Sequence, residues 1–271
     1  MKLIGEKING TLLPVRRAIE NRDSRFIREL AKLQAEAGAD WLDVNAGTSP
    51  EKELDDLVWL INCIQDEVDT PLCIDSANPG PLAAAVDRVK VTPMINSISL
   101  EPQKLEGILP IVVKTECEVI ALAMDENGIP RSLDERLTVI HKLVSATRSS
   151  GIPDSKVYID PLVMAASTNT DNGKIVLDTI RIIHEEFPEI HFCGGVSNIS
   201  FGLPHRTLVN QAFLSLAINA GLDCAILDPL NRDIRAAILS VELVLGMDKH
   251  CQRYSRASKK GLIGRQTDKN A

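Results

Sequence analysis

Short apolar runs alternate with longer amphipathic stretches along the whole chain. Runs at 3–8, 41–45, 72–75, 93–96, 119–124, 157–160, 190–196 and 224–228 have the length and content of buried strands. The stretches between them carry helical spacing. In 53–67 the apolar set Leu54, Leu57, Val58, Ile61 and Ile64 repeats at one turn. Leu133, Leu137, Ile140 and Val144 do the same behind Ser132 and Glu135, which are spaced as a capping box. Ile234, Ile238, Val241 and Leu245 mark the last such helix. Eight run-and-stretch units in succession predict parallel βα repetition.

A doubly wound open sheet shares that alternation. The even spacing of the units, and the lack of a Gly-rich dinucleotide fingerprint after the first run, favour a (β/α)8 TIM barrel. No linker or low-complexity stretch divides the chain, so one barrel domain is predicted over 1–250, followed by a basic tail at 251–271. In that tail Arg253, Arg256, Lys259, Lys260, Arg265 and Lys269 stand among small polar residues without a clear helical face. A solvated, partly disordered segment is expected there, with a docking surface for an acidic partner as the alternative.

Composition narrows the picture. Of 271 residues 44% are hydrophobic but only 3% aromatic, so the core must be built from Ile, Leu, Val and Ala, which suit strands buried on both faces. A net charge of −7 gives no footprint for nucleic acid or an acidic membrane. The start, Met1-Lys2-Leu3-Ile4-Gly5-Glu6-Lys7, meets charge too early for a signal peptide, and no apolar run approaches the roughly 20 residues of a membrane span. Six cysteines at 63, 73, 117, 193, 224 and 251 form no CxxC pair and read as buried thiols of a cytoplasmic protein.

In a barrel the C-terminal ends of all strands open on one rim, where polar residues converge. The chain supplies Glu6 and Asn9, Asp43 and Asn45, Asp75-Ser76, Asn96-Ser97, Asp160, Gly194-Gly195 leading into Ser197-Asn198, and Asp228-Pro229. Asp75, Asn96, Asp160 and Asn198 are the main candidates, because strand ends hold position best. Local roles are the simpler reading elsewhere: Asn78 before Pro79 as a helix N-cap, Ser76 and Ser97 bonded to nearby backbone, Asp228 closing a turn. His191 and Cys193 with Cys224 resemble the spacing of zinc thiol methyltransferases, but they fall early in the seventh run, so packed core residues and no metal are expected. The segment 189–194 brushes against a corrinoid-module histidine motif. Its first residue is Glu, and no separate module surrounds it.

Six segments in order resemble the pterin-binding methyltransferases, especially methyltetrahydrofolate:corrinoid protein methyltransferases. They are Ile4-Gly5-Glu6-Lys7-Ile8-Asn9-Gly10, Leu42-Asp43-Val44-Asn45-Ala46-Gly47, Cys73-Ile74-Asp75-Ser76, Met94-Ile95-Asn96-Ser97, Tyr158-Ile159-Asp160-Pro161-Leu162 and Gly195-Val196-Ser197-Asn198-Ile199-Ser200. The resemblance implies that Asp75, Asn96 and Asp160 bind the edge of a reduced pterin, with Gly195 and Ser197 beside it. It places Asn198 near N5 as the central catalytic residue. Glu6, Asp43, Asn45, Arg206 and Asp228 stand as further candidates. It also implies tetrahydrofolate or 5-methyltetrahydrofolate as substrate, a cobalamin carried by a separate corrinoid protein, and a homodimer. Dihydropteroate synthase is the alternative within the fold, but its Ser-Arg-Lys segment is replaced here by Ser197-Asn198-Ile199, and its Gly-Gly-Glu-Ser loop by Asn45-Ala46-Gly47-Thr48. A folate-binding or corrinoid-docking protein without turnover is the alternative of another class.

Overall fold

A computed structural model describes residues 1–264. Its strands are β1 (Lys2–Asn9), β2 (Trp41–Asn45), β3 (Leu72–Asp75), β4 (Met94–Ile98), β5 (Glu118–Leu122), β6 (Val157–Asp160), β7 (His191–Phe192) and β8 (Cys224–Leu227). The helices are α1 (Leu13–Glu20), α2 (Ser24–Glu36), α3 (Pro50–Gln65), α4 (Pro79–Val86), α5 (Pro102–Thr115), α6 (Leu133–Ser149), α7 (Asn172–Glu186), α8 (Arg206–Ala220), α9 (Arg232–Val244) and α10 (Gln252–Lys259). Neighbouring strands pair in parallel in the order β7-β6-β5-β4-β3-β2-β1-β8. The ring closes where Ile226 N–H donates to Gly194 O at 3.0 Å, a parallel bridge between Gly195 and Ile226. This is the predicted (β/α)8 barrel.

All eight predicted runs lie on strands. The seventh differs in length: only His191 and Phe192 pair as strand, because 196–200 winds into a 3-10 turn. Ser132 and Glu135 form the predicted capping box at the start of α6. On α3 the buried stripe is Leu57, Leu60, Ile61 and Ile64, whereas Leu54 is exposed and Glu53 and Asp56 are buried. The helix is turned so that Glu53 of its first turn meets Ser76 and Asn78 just after β3. Five cysteines are buried as predicted, and Cys251 is exposed.

Residues expected as a solvated tail instead form α10, which buries Ala257 and ties Arg253 to Glu242 at 2.8 Å. Ile263 is buried as well. Arg265 and Lys269 lie outside the described residues. Among those described, no helix is long and apolar enough to cross a membrane.

Two apolar cores result. The larger lies between strands and helices; the smaller fills the barrel with Ile4, Trp41, Cys73, Met94, Ile120, Tyr158, Cys193 and Cys224, one from each strand or its continuation.

Candidate active site

The site follows from that inner core and the two-residue period of a strand. Two positions further along, side chains return to the same face. From the eight residues of the inner core this step reaches Glu6, Asp43, Asp75, Asn96, Leu122, Asp160, Gly195 and Ile226. An apolar layer is thus succeeded, toward the C-terminal mouth, by four carboxylates and an amide. Asp43 and Asp160 are buried, and Glu6, Asp75 and Asn96 half-buried.

These groups bond to one another and to the next residues along. Asn96 Nδ2 donates to Asp43 Oδ1 at 3.3 Å, and Asn45 Nδ2 to Asp75 Oδ2 at 2.7 Å. Burial raises Asp43 well above the ordinary carboxylate range, with the neighbouring Asp75 charge adding to it; the hydrogen bonds from Asn96 and Cys73 act the other way. Burial also raises Asp75 and Glu6. Crowding like charges in a desolvated layer disfavours ionisation, and a ligand that donates hydrogen bonds relieves that cost.

Asp160 sits in a different setting. Burial pushes its carboxyl up to about 6, while the Leu162 N–H and the Arg136 charge pull it down. Asp160 Oδ1 accepts from Leu162 N–H at 2.7 Å. Leu162 holds a left-handed φ of 59°, costly for a branched side chain. Arg136, buried on α6, fixes that turn by donating to Pro161 O at 2.6 Å and Leu162 O at 3.2 Å.

Across the mouth, glycines make the room. A Cβ on Gly194 would stand 3.1 Å from Asp160 Oδ1, and one on Gly195 3.1 Å from Asn198 Nδ2. Asn198 is exposed on the 3-10 turn, and no hydrogen bond engages its side chain among the described residues. Arg206 secures that turn, donating to Ser197 O at 2.8 Å and Ser200 Oγ at 3.0 Å. Gly10 and Gly47 let the loops after β1 and β2 meet backbone to backbone; a Cβ on Gly10 would fall 1.7 Å from Ala46 O.

Asp75, Asn96 and Asp160 are therefore brought together, joined by Glu6 and Asp43, with Asn45 bonded behind Asp75. Asn198 and Ser197 stand on the 3-10 turn and not on a strand end, since the strand stops at Phe192. Arg206 serves that turn. Asp228 closes a local turn through Leu230 N–H at 3.0 Å and pairs with Lys7 at 2.7 Å. Asn9 is turned back on Thr11.

Asn78 occupies the N-cap position of α4 without capping it. Its amide instead donates to Glu53, which also accepts from Ser76 Oγ. Glu53 and Arg136 do not stand out in the sequence, because each lies on a helix whose periodicity accounts for it. The available signals were a Glu beside Leu57 and an Arg at the fourth position after the Ser132 cap. Cys193 and Cys224 lie in the inner core, and His191 stacks on Tyr158 with Nδ1 2.5 Å from Asp223.

The model of the pterin binding enzyme family matches residues 9–228. The chain is 41% identical over 266 residues to the methylcorrinoid:tetrahydrofolate methyltransferase of Eubacterium limosum, covering 97% of this chain and 98% of that one. Methionine synthase of Mycobacterium leprae is 28% identical over 248 residues, 85% of this chain but only 21% of that protein. Among solved structures, dihydropteroate synthase of Xanthomonas albilineans superposes with a TM-score of 0.68 at 20% identity over 92% of this chain and 93% of that one. DHPS of Yersinia pestis gives 0.68 at 18% over 91% and 93%. At such identity these two share the fold. The chain belongs to the family of pterin binding enzymes.

Proposed function

We propose that this protein is a methyltransferase that moves a methyl group between the cobalt of a corrinoid carried by a separate protein and N5 of tetrahydrofolate. Identity of 41% over nearly the full length of a methylcorrinoid:tetrahydrofolate methyltransferase carries this reading. That relative's name has the methylcorrinoid as donor, and the same direction is proposed here. One site serves either direction, because a catalyst lowers the same barrier from both sides.

The polar layer fits the substrate. A reduced pterin presents an exocyclic amine and ring N–H groups along one edge. Asp75, Asn96 and Asp160 offer oxygens to receive them. In this reading the ring lies beside Gly195 and Ser197, with Asn198 facing N5. When the methyl leaves methylated cobalt, the N5 lone pair forms the new C–N bond, the C–Co electron pair stays on cobalt, and N5 becomes cationic until its proton leaves. The Asn198 side-chain oxygen accepts from N5–H, a bond that strengthens as the charge develops. Water held by the nearby carboxylates takes the proton.

The barrel at 1–250 carries this chemistry, and 251–271 is a basic extension. A homodimer in the cytoplasm is the proposed state. Exposed Leu208 and Leu216 on α8, with Val244 and Met247 at the end of α9, offer apolar surface for the second copy. No metal enters the reading: the mouth offers oxygens and amides, and the thiols lie below in the closed core, so chelator-treated protein keeps its rate.

The test is anaerobic mixing of the protein with methylcob(III)alamin and tetrahydrofolate, followed by visible spectroscopy, with a candidate corrinoid protein in a parallel arm. Formation of cob(I)alamin and 5-methyltetrahydrofolate is expected. Folate binding without exchange in either arm would identify a binding protein without turnover.

A further inference from the structure

Asp43 is the most deeply buried of the carboxylates at the mouth, at 3% exposure, and its Oδ1 accepts from the Asn96 amide. It stands on β2 two residues before Asn45 and above Trp41 of the inner core. Its neighbours are the Asn96 amide, the Cys73 thiol and the Asp75 and Glu6 carboxylates. No cation is among them.

The carbonyl oxygen of a carboxyl group accepts hydrogen bonds whether or not the acid is ionised, whereas a side-chain amide has a donor end and an acceptor end. Asn96 turns Nδ2 toward Asp43 Oδ1 at 3.3 Å, which leaves its Oδ1 for the open side of the layer. Asn45 treats Asp75 in a parallel way: Nδ2 occupies Oδ2 and leaves Oδ1. At Asp160 the Leu162 N–H occupies Oδ1 and leaves Oδ2. Each residue at the floor thus spends one polar atom on the protein and keeps one oxygen. For Asp75 and Asp160 any orientation would present an oxygen. For Asn96 the choice depends on Asp43.

We infer that Asp43 is a positioning residue that sets the specificity of the site, orienting the Asn96 amide so that the floor offers acceptors only. This rests on the pterin reading above. It adds that the site selects a ring edge made of donors, such as a 2-amino pterin, over one carrying a carbonyl at the same place. Reversing the amide would set an N–H against a ligand N–H and leave both unpaired in a desolvated site.

Asp43→Asn tests this, because the new amide can donate to Asn96 Oδ1 and hold it reversed. Tetrahydrofolate binding is measured by fluorescence, and preference by comparing reduced pterin with its 2-oxo (lumazine-type) counterpart. The thermal midpoint completes the set. The expected result is folate affinity lowered about 10- to 100-fold, the weight of one mismatched buried pair. Preference for the 2-amino ring should shrink in step, a change in ring discrimination that lost stability alone does not produce. A merely structural role would move the midpoint and leave ring preference intact. If Asp43→Asn fails to fold, Asp43→Ala carries the same test with the amide freed instead of reversed. Wild-type affinity and preference in a folded variant overturn the inference alone. Wild-type protein that binds no tetrahydrofolate overturns the pterin reading with it.

Discussion

The two ends of the barrel interior treat polar groups in opposite ways. At the closed end, where the strands begin, opposite partners are matched. Lys2 Nζ donates to the Tyr158 hydroxyl at 2.9 Å, lies over the Trp41 ring at 4.8 Å and approaches Glu118 at 3.9 Å. Tyr158 stacks on His191 with ring centroids 4.6 Å apart, and His191 pairs with Asp223. At the open end Glu6, Asp43, Asp75 and Asp160 gather acids in a layer whose bonds come mostly from amides. Burial raises all four from their ordinary values. A matched cluster holds the fold together. An unmatched one holds potential for a ligand, and the cores between them let the barrel support that cost.

The comparison breaks first at Trp41. Replacing this ring, 7% exposed between Ile4 and Tyr158, by Ala should cost about 3–5 kcal/mol of stability in urea unfolding. Folate affinity of the remaining folded protein should hold. Loss of affinity to the same extent as stability would mean that the two ends are not separate.

Asn198 is the converse case. Its side chain has no partner among the described residues, so Asn198→Ala should leave the unfolding midpoint in place. Methyl transfer should fall by about 10²–10³-fold, the usual cost of removing one oriented group that meets developing charge. Folate binding should change far less. A variant that transfers at the wild-type rate would reduce Asn198 to a turn residue.

A smaller effect is expected at the floor. Asp160→Ala should weaken tetrahydrofolate binding by about 1.5–3 kcal/mol, the range for a hydrogen bond to a charged group. Stability should move less than affinity, since the lost Leu162 N–H bond is offset by removal of a desolvated acid. Calorimetric titration beside thermal melting separates the two. Unchanged affinity would take Asp160 out of the site.

Strand ends explain how much of this was legible. Asp75 and Asp160 are each the last residue of their strand, and Asn96 lies within β4, so an apolar run with a terminal acid or amide was enough to place them. The (β/α)8 order follows from the same runs. Asn198 is legible by motif but not in its placement, because the regular strand stops at Phe192 and local periodicity does not mark the 3-10 turn that follows. Asn78 takes the expected N-cap position of α4, but its side chain is drawn elsewhere. Its partner Glu53 is 25 positions away on another helix, and capping rules look only at neighbours. The α10 helix has almost no apolar stripe, only Ala257 buried, so composition alone suggested a solvated tail.

The finest test of the contrast is its pH dependence. An unfolded aspartate releases its proton near 3.8, while Asp160 in the fold keeps it to about 6. Between those values the native state binds more protons than the unfolded chain, so stability falls as pH rises through the window and stays at the lower level above it. Asp43, Asp75 and Glu6 are raised as well and add to the same slope. Acids at the surface such as Asp178 and Glu135 are lowered by their partners and act in the opposite sense, below the ordinary carboxylate range. Ligand-free protein should therefore melt higher at pH 5 than the floor acids allow at pH 7. Tetrahydrofolate should reverse the order, because it pairs with the ionised oxygens, and its stabilising increment should shrink as pH falls through about 6. Asp160→Asn isolates one contribution, since the amide keeps the shape and does not titrate. The difference between its melting profile and that of wild type should lie in the window between 3.8 and about 6. Parallel profiles across that window would mean that Asp160 ionises in the fold as it does in the open chain, and that the open end is no more strained than the closed one.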